Sequence, residues 1–413
     1  MDSVQAPPGE IPGGARFLLL PGESLMKIIT ITREYGAGGG EVARNLVEAL
    51  GWELLDRELL HQAAEVEHVP DAELERLDEK ALTMGDRFRL HPPHVKYLHG
   101  LKLAVSSAAE RGNVILVGRG ARHLLSERPG TLHLRLVAPK KWRAQRMSQL
   151  EGWSFDESMA RCTEIDRIRG RFTRYFFGDK ATQPAQYDLV CNTQHVPLDE
   201  VVAVVAAIVR GASVATPSSS TPRRVLTLSR ELGAGEQGFP LTLGKRLGMQ
   251  VYDRELLEQE AVRLGVPESE MEKIDERGAG IFQRFHPGSI YQRYFEALGQ
   301  LMRELAGRGN AILVGRGGNR ILRDDPRAFN VRLVAPMPVR VRRVMEYRWV
   351  QEGSAKKLVA DSDSRRSNFC ESYLGVDWSS PLEYDVTVNS GRLGLTAIDA
   401  VAMAAERHWS HAE

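Results

Sequence analysis

The chain repeats itself. Around Gly36 it reads TREYGAGGGEVARNLVEALGWELLDRELL, and around Gly233 it reads SRELGAGEQGFPLTLGKRLGMQVYDRELL. Each residue of the first run meets its counterpart 197 positions later: Arg33 with Arg230, Gly36 with Gly233, Asp56 with Asp253. The same shift carries Gly118-Arg119-Gly120 to Gly315-Arg316-Gly317, Asp166 to Asp363, Arg169 to Arg366 and Tyr187-Asp188 to Tyr384-Asp385. A shift that holds from end to end marks a duplicated domain, and its length is far beyond the roughly 20–50 residues of a solenoid unit. Two similar α/β domains, 26–210 and 225–413, are expected. They should be related by one rotation and free to pair within the chain. Each should own its sheet, and one continuous sheet would count against duplication.

A chain of 413 residues gives each copy enough length to bury a core. Hydrophobic residues at 42% and charged residues at 26% fit a soluble globular protein. A net charge of +1 gives no reason to expect a nucleic-acid partner. Cys162, Cys191 and Cys370 have no metal-ligand spacing and are too scattered for a disulfide framework. They point to a reducing, cytoplasmic setting. No apolar run reaches the roughly 18 residues of a membrane span. Residues 1–25, rich in Pro and Gly and lacking a basic start, read as a disordered extension, with Met26 a candidate start. The stretch GASVATPSSSTPRR, 211–224, reads as a flexible linker.

Each copy opens with a β-branched run, Ile28 to Thr32 or Val225 to Leu228, followed by a Gly-rich turn and a helical pattern. A second strand ends at Asp56 or Asp253. Further strands are expected at Val114–Val117, Leu132–Val137 and Tyr187–Cys191, with helices after Pro139 and over Leu198–Val209. Such alternation argues for a parallel sheet covered by helices on both faces, with ligands beyond the carboxyl ends of the strands.

The Gly-rich turn lies there. Backbone N–H groups and the positive end of a following helix hold phosphate oxygens, and Gly permits positive φ and close approach. A P-loop reads GxxxxGK[ST]. Here Gly36-Ala37-Gly38 is followed by Gly39 at the lysine position, then Gly40 and Glu41 in place of hydroxyl residues. The second copy has Gly233 and Gly235, then Glu236 at the lysine position, Gln237, Gly238 and Pro240. On its own such a turn is equally a tight strand-to-helix connection.

The run ITREYGAGGGEVARNLVEALGWELLDRELL resembles the cytidylate kinase-like family of P-loop nucleoside monophosphate kinases, whose turn also lacks the lysine. VGRGARHLLSERPG and VGRGGNRILRDDPR resemble that family's Val-Gly-Arg segment. DRIRGRF and DSRRSNF are similar to its lid motif, and YDLVCNT and YDVTVNS to its last strand. Gly40 departs from the family's usual Arg. The resemblance implies two tandem P-loop NTPase-like domains, transfer of the γ-phosphoryl of ATP to CMP or dCMP with Mg2+, and Arg119 or Arg316 on the acceptor phosphate.

The chemistry can be stated from the residues. Phosphoryl transfer needs a cradle for donor phosphates, a clamp on the acceptor phosphate and cations over a loose transition state. Arginine suits the last two. The cradle candidates are Gly36, Ala37, Gly38, Gly39, Gly40 and Glu41. Arg119 is the clamp, with Arg167 and Arg169 in the lid and Arg33 as a substitute for the missing lysine. Arg171 and Arg174 read as a solvated face. Arg143, Arg146, Arg340 and Arg343 read as the polar side of a helix. Asp56 and Asp253 either bind acceptor or metal-bound water, or cap the next helix. The weaker second set is Gly233, Gly235, Asp253, Arg316, Arg365 and Arg366. There Glu236 places a carboxylate where ATP's phosphates would lie. No protein metal ligands are expected, since phosphates and water would hold Mg2+. The alternative to catalysis is a nucleotide-binding pseudokinase with a regulatory or assembly role.

Overall fold

The computed structural model describes residues 26–56, 93–211, 224–236, 238–253 and 290–411. The expected extension at 1–25, nearly all of the expected linker, and residues 57–92 lie outside them.

The first half runs β1 (Ile28–Arg33), α1 (Gly39–Leu50), β2 (Glu53–Leu55), α2 (Pro93–Arg111), β3 (Val114–Val117), β4 (Thr131–Val137), α3 (Lys140–Glu151), α4 (Phe155–Phe177), β5 (Leu189–Asn192) and α5 (Leu198–Val209). The second runs β6 (Val225–Arg230), α6 (Phe239–Leu247), β7 (Gln250–Tyr252), α7 (Ile290–Arg308), β8 (Ala311–Val314), β9 (Ala328–Val334), α8 (Met337–Arg348), α9 (Glu352–Phe369), β10 (Val386–Asn389) and α10 (Thr396–His411). The central strands are short apolar runs buried on both faces, as parallel strands under helices must be. α1 buries Val42, Ala43 and Leu46 and stops at Gly51, whose φ of 70° suits a left-handed C-terminal turn.

Sheet order is 2-3-1-4-5 in the first half and 7-8-6-9-10 in the second, the same order with each strand replaced by its repeat mate. Registers repeat as well. Ile28 faces Thr131 and Val114, and Val225 faces Ala328 and Ala311. The duplication is therefore written into topology. Separate sheets are not what forms. The halves join edge to edge in one ten-stranded sheet, β5 lying antiparallel to β10. Contrary to the expectation, one continuous sheet joins the two repeated halves. β5 and β10 are the last strands of their halves, and each leaves an edge of unpaired N–H and C=O groups that the other satisfies.

The seam has internal symmetry. Val386 pairs with Cys191 and Val388 with Leu189, and these pairs exchange under the repeat shift. Thr387 pairs with Val190, its own mate, so a pseudo-twofold axis passes through that pair. On one face α5 packs on α10, again mates, and one apolar core runs from Ile29 and Leu46 through Val205 to Val401 and Trp409.

Candidate active site

The loop after β1 is built by glycine. Gly36 and Gly38 have φ of 81° and 84°, and Gly38 caps α1 with no side chain on the helix end. The first-turn N–H groups face outward at the positive end of the helix, where an anion is favoured. Ala37 takes no direct part. It is fully buried, and its N–H donates to the Glu34 carbonyl at 3.2 Å.

What shapes the loop was not legible. Arg143 and Arg340, expected on the polar side of a helix, are 3% and 4% exposed. Arg143 donates to the Tyr35 carbonyl at 2.7 Å and to Asp166 at 2.7 Å, while Asp166 accepts from the Tyr35 N–H at 2.9 Å. The Tyr35 peptide is thus gripped from both sides. Glu34 closes the network, 3.4 Å from Arg143 and accepting from the Ala138 N–H. Burial pushes the Glu34 carboxyl above its usual range, against the pull of Arg143 and Arg135. The second half repeats it with Arg340 on Leu232, Asp363 and Glu231. Asp166, read as part of the lid motif, is therefore a loop anchor. Arg146 and Arg343 are also corrected from a plain polar face. Arg146 reaches the Gly36 carbonyl at 3.4 Å and Glu41 at 2.6 Å, and Arg343 reaches the Gly233 carbonyl and Ser390. The usable signal was the repeat itself, because Arg143 with Asp166 maps onto Arg340 with Asp363.

The Arg33 stem passes beside Gly39, the residue at the lysine position of a P-loop. A Cβ on Gly39 would fall 2.6 Å from Arg33 Cγ, so the arginine stem crosses the space a residue-39 side chain needs. Its guanidinium lies against Gly118, whose φ is 82° and where a Cβ would collide with Nη1. Arg33 therefore bridges the loop to Gly118-Arg119-Gly120.

That segment is strained. Arg119 has φ 50° between Gly118 and Gly120, and Arg316 has φ 53° between Gly315 and Gly317. Arginine rarely adopts the left-handed region, and such strain gathers at functional sites. A cavity of about 340 Å³ collects Arg33, Tyr35, Arg119, His123, Arg169 and Phe172. Arg169 donates to the Arg33 carbonyl at 3.3 Å and lies 5.7 Å from the Tyr35 ring centroid. Burial and the adjacent Arg122 lower the pKa of His123 to about 4, so it is neutral there. Arg167 does not join them. It pairs with Glu164 one turn away on the exposed face of α4. Arg174 points to Asp179 at 3.4 Å. Asp56 follows β2 outside the residues lining this cavity, as Asp253 follows β7 in the second half.

The second loop differs in backbone as well as charge. Its helix is capped by Gly238, φ 88°, and starts at Phe239 with Pro240 in the first turn. The mate of Phe239 is Val42, three residues inside α1, so α6 starts three residues later than α1. Glu236 pairs with Arg343 at 3.9 Å while remaining half exposed. Arg343 is the cation that offsets its charge. Gly233 still packs on the Arg340 backbone, and Gly235 packs on Phe239.

The cytidylate kinase-like family model matches twice, over residues 28–195 and 225–392. A cytidylate kinase of Methanopyrus kandleri is 25% identical over 196 residues, covering 45% of this chain and 94% of that one. One from Thermococcus kodakarensis is 26% identical over 182 residues, covering 44% and 87%. Among solved structures, an uncharacterized protein from Eubacterium ventriosum aligns with a TM-score of 0.35 and 21% identity over 44% of this chain and 97% of its own. A shikimate kinase from Acinetobacter baumannii aligns with a TM-score of 0.29 and 16% identity over 45% and 93%. Two matches to one model, at positions the repeat relates, identify the chain as a member of the cytidylate kinase-like family that carries the family's domain twice.

Proposed function

We propose that the first half is a nucleoside monophosphate kinase that transfers the γ-phosphoryl of ATP to CMP or dCMP. The observation that carries this is the convergence of Arg33, Arg119 and Arg169 on one cavity, with the Arg33 stem lying against Gly39 at the start of α1. The exposed Gly40 and the first-turn N–H groups suit the phosphates of a magnesium–ATP complex, which supplies the phosphoryl group. No side-chain hydroxyl stands in Gly36–Glu41, so phosphates and water would complete the metal's shell. Arg119 would fix the acceptor phosphate, and Arg33 and Arg169 would face the charge of the transferring group. Neutral His123, stacked on Phe177 with ring centroids 4.6 Å apart, gives the acceptor side an apolar wall. The twofold relation to cytidylate kinases supports a pyrimidine acceptor.

The second half supports a different reading, binding without turnover. Pro240 in the first turn of α6, which has no N–H to offer, and the Glu236 carboxylate both act against a donor phosphate. The test is a coupled assay of the full chain with ATP and a panel of nucleoside monophosphates. ADP formation strongest with CMP or dCMP, and lost in Arg119→Ala, is expected. Absence of turnover with every acceptor would refute the kinase reading.

A further inference from the structure

The second half reaches into the first through Arg392. This residue lies in the short helical turn Ser390–Leu393 after β10, which Asn389 caps by accepting from the Gly391 N–H at 3.0 Å. Arg392 Nε donates to Asp188 at 2.7 Å, and its Nη1 to the Ser126 carbonyl at 3.1 Å, both in the first half. Ser126 ends the segment that begins at Gly118-Arg119-Gly120. One ladder joins them. The Ala121 N–H donates to the Gly118 carbonyl at 3.0 Å, the His123 N–H to that of Gly120 at 2.8 Å, and the Ser126 N–H to that of His123 at 3.4 Å. Ala121 and Leu125 fix one side of this segment in the core. Arg392 holds its far end.

Asp188 makes the hold matter. Burial pushes its carboxyl up, and Arg392 pulls it down more than Arg122 does. Arg122 is itself buried, donates to the Gln186 carbonyl and lies 5.7 Å from the Tyr187 ring centroid. Without Arg392, the charge left to answer Asp188 is that of Arg122, drawn away from Gln186. Its chain neighbour His123 lines the first cavity with Arg119. A displacement of about 1 Å in a group that grips substrate can cost about a hundredfold in rate.

The second half holds its own segment from within. Asn319, the mate of Arg122, donates to the Glu383 carbonyl at 3.1 Å. Arg323, the mate of Ser126, lies 3.6 Å from the Glu383 carboxylate. The mate of Arg392 is His195, which meets Asp385. Among the described residues, the arginine support runs from the second half to the first.

We infer that Arg392 is a positioning residue for the acceptor clamp of the first half, so that the second half completes a site it does not line. The role rests on the kinase reading of the first half. It gives the second half a duty that needs no turnover of its own.

Steady-state kinetics of the full chain test this. Arg392→Gln should raise KM for CMP about three- to tenfold, the worth of one hydrogen bond, and leave KM for ATP unchanged. His195→Gln, which breaks the mirror contact of the seam, should leave both unchanged. Arg392→Lys keeps a charge beside Asp188 but loses the fork that also reaches Ser126. It should raise KM for CMP in the same sense, and serves if the glutamine variant fails to fold. In an Arg119→Ala background Arg392→Gln should raise KM for CMP no further. KM for CMP unmoved by both Arg392 variants, an equal rise for ATP, an equal rise in His195→Gln, or losses that add to those of Arg119→Ala would overturn the role. Failure of the kinase reading would show separately, as no turnover by the wild-type chain. Calorimetric binding of CMP that Arg119→Ala weakens then replaces KM, and its absence, or its indifference to Arg392→Gln, would overturn the role.

Discussion

His195 Nδ1 lies 2.8 Å from Asp385 Oδ1 across the seam between the halves. The residue that takes its place in the second half, Arg392, donates to Asp188, the mate of Asp385, at 2.7 Å. Asn192 donates to the Leu382 carbonyl, and Asn389 to that of Ala185, the mate of Leu382. Residue i meets j and the mate of i meets the mate of j, the signature of a twofold, self-complementary interface.

Breaking this pairing should destabilise the whole chain rather than one half. Asp188 is nearly fully buried, and removal of Arg392 leaves it the His133 N–H and the more distant charge of Arg122. Arg392→Ala should cost a few kcal/mol, near the lower end of the ~3–5 kcal/mol for stranding a buried charge, because Arg392 is itself partly exposed. Unfolding in denaturant should remain a single transition. Two transitions, with only one moved, would mean the halves fold independently.

Arg119→Gly should separate stability from activity. Glycine relieves a left-handed backbone worth roughly 1–2 kcal/mol but adds unfolded-state entropy of about 0.5–1 kcal/mol. Thermal stability should hold or rise slightly while kcat/KM falls about ten- to hundredfold. Arg119→Ala should lose as much activity without the gain. A marked drop in unfolding temperature for the glycine variant would make Arg119 a structural residue.

Arg33 and Gly39 should behave as a pair. Gly39→Lys alone should lower stability and activity, because its Cβ enters the space of the Arg33 stem. Arg33→Ala should lower kcat by removing a cation from the cavity. The double variant should regain part of the lost kcat, the lysine standing where P-loops carry one. Strictly additive losses in this double-mutant cycle would argue against substitution of one cation for the other.

Stability should fall in acid partly through His133. It is wholly buried beside Thr30 at 2.7 Å, and burial, then Arg392 and Arg122, hold its pKa well below 6.5. Below that value the unfolded chain binds a proton that the folded chain refuses. Stability is therefore full above pH 6.5 and declines as pH falls. His133→Asn copies the second half, where Asn330 accepts from Thr227 at 2.7 Å and donates to Asp385. Its stability should depend less on pH as pH falls below about 6.5. An unchanged slope in chemical denaturation across that range would clear His133 of the effect.

Local pattern made much of this fold legible. Apolar runs such as Ile28–Thr32 and Val114–Val117 are short, β-branched and bounded by turns. α5 spans Leu198–Val209 as its periodicity indicates. The edge pairing was not legible, because what satisfies β5 is β10, almost two hundred residues away, and nothing in either strand names its partner. Arg143 misled for a related reason. Its helix carries few apolar residues, and its burial depends on Glu34 and Asp166 reaching it from other elements. Arg33 was suspected on charge alone. Its course over Gly39 and past Gly118 emerges only when two turns converge.

The seam through Val190 and Thr387 also bears on how such a chain changes over generations. In an assembly of two identical copies each coding change is made twice, so a lesion in one phosphate loop is a lesion in both. Here the mated positions of the two phosphate loops differ, Gly39 in one half and Glu236 in the other. One fused gene can lose a function in one half and keep that half as scaffold for the other. A symmetric pair of separate chains has no mutation that does the same.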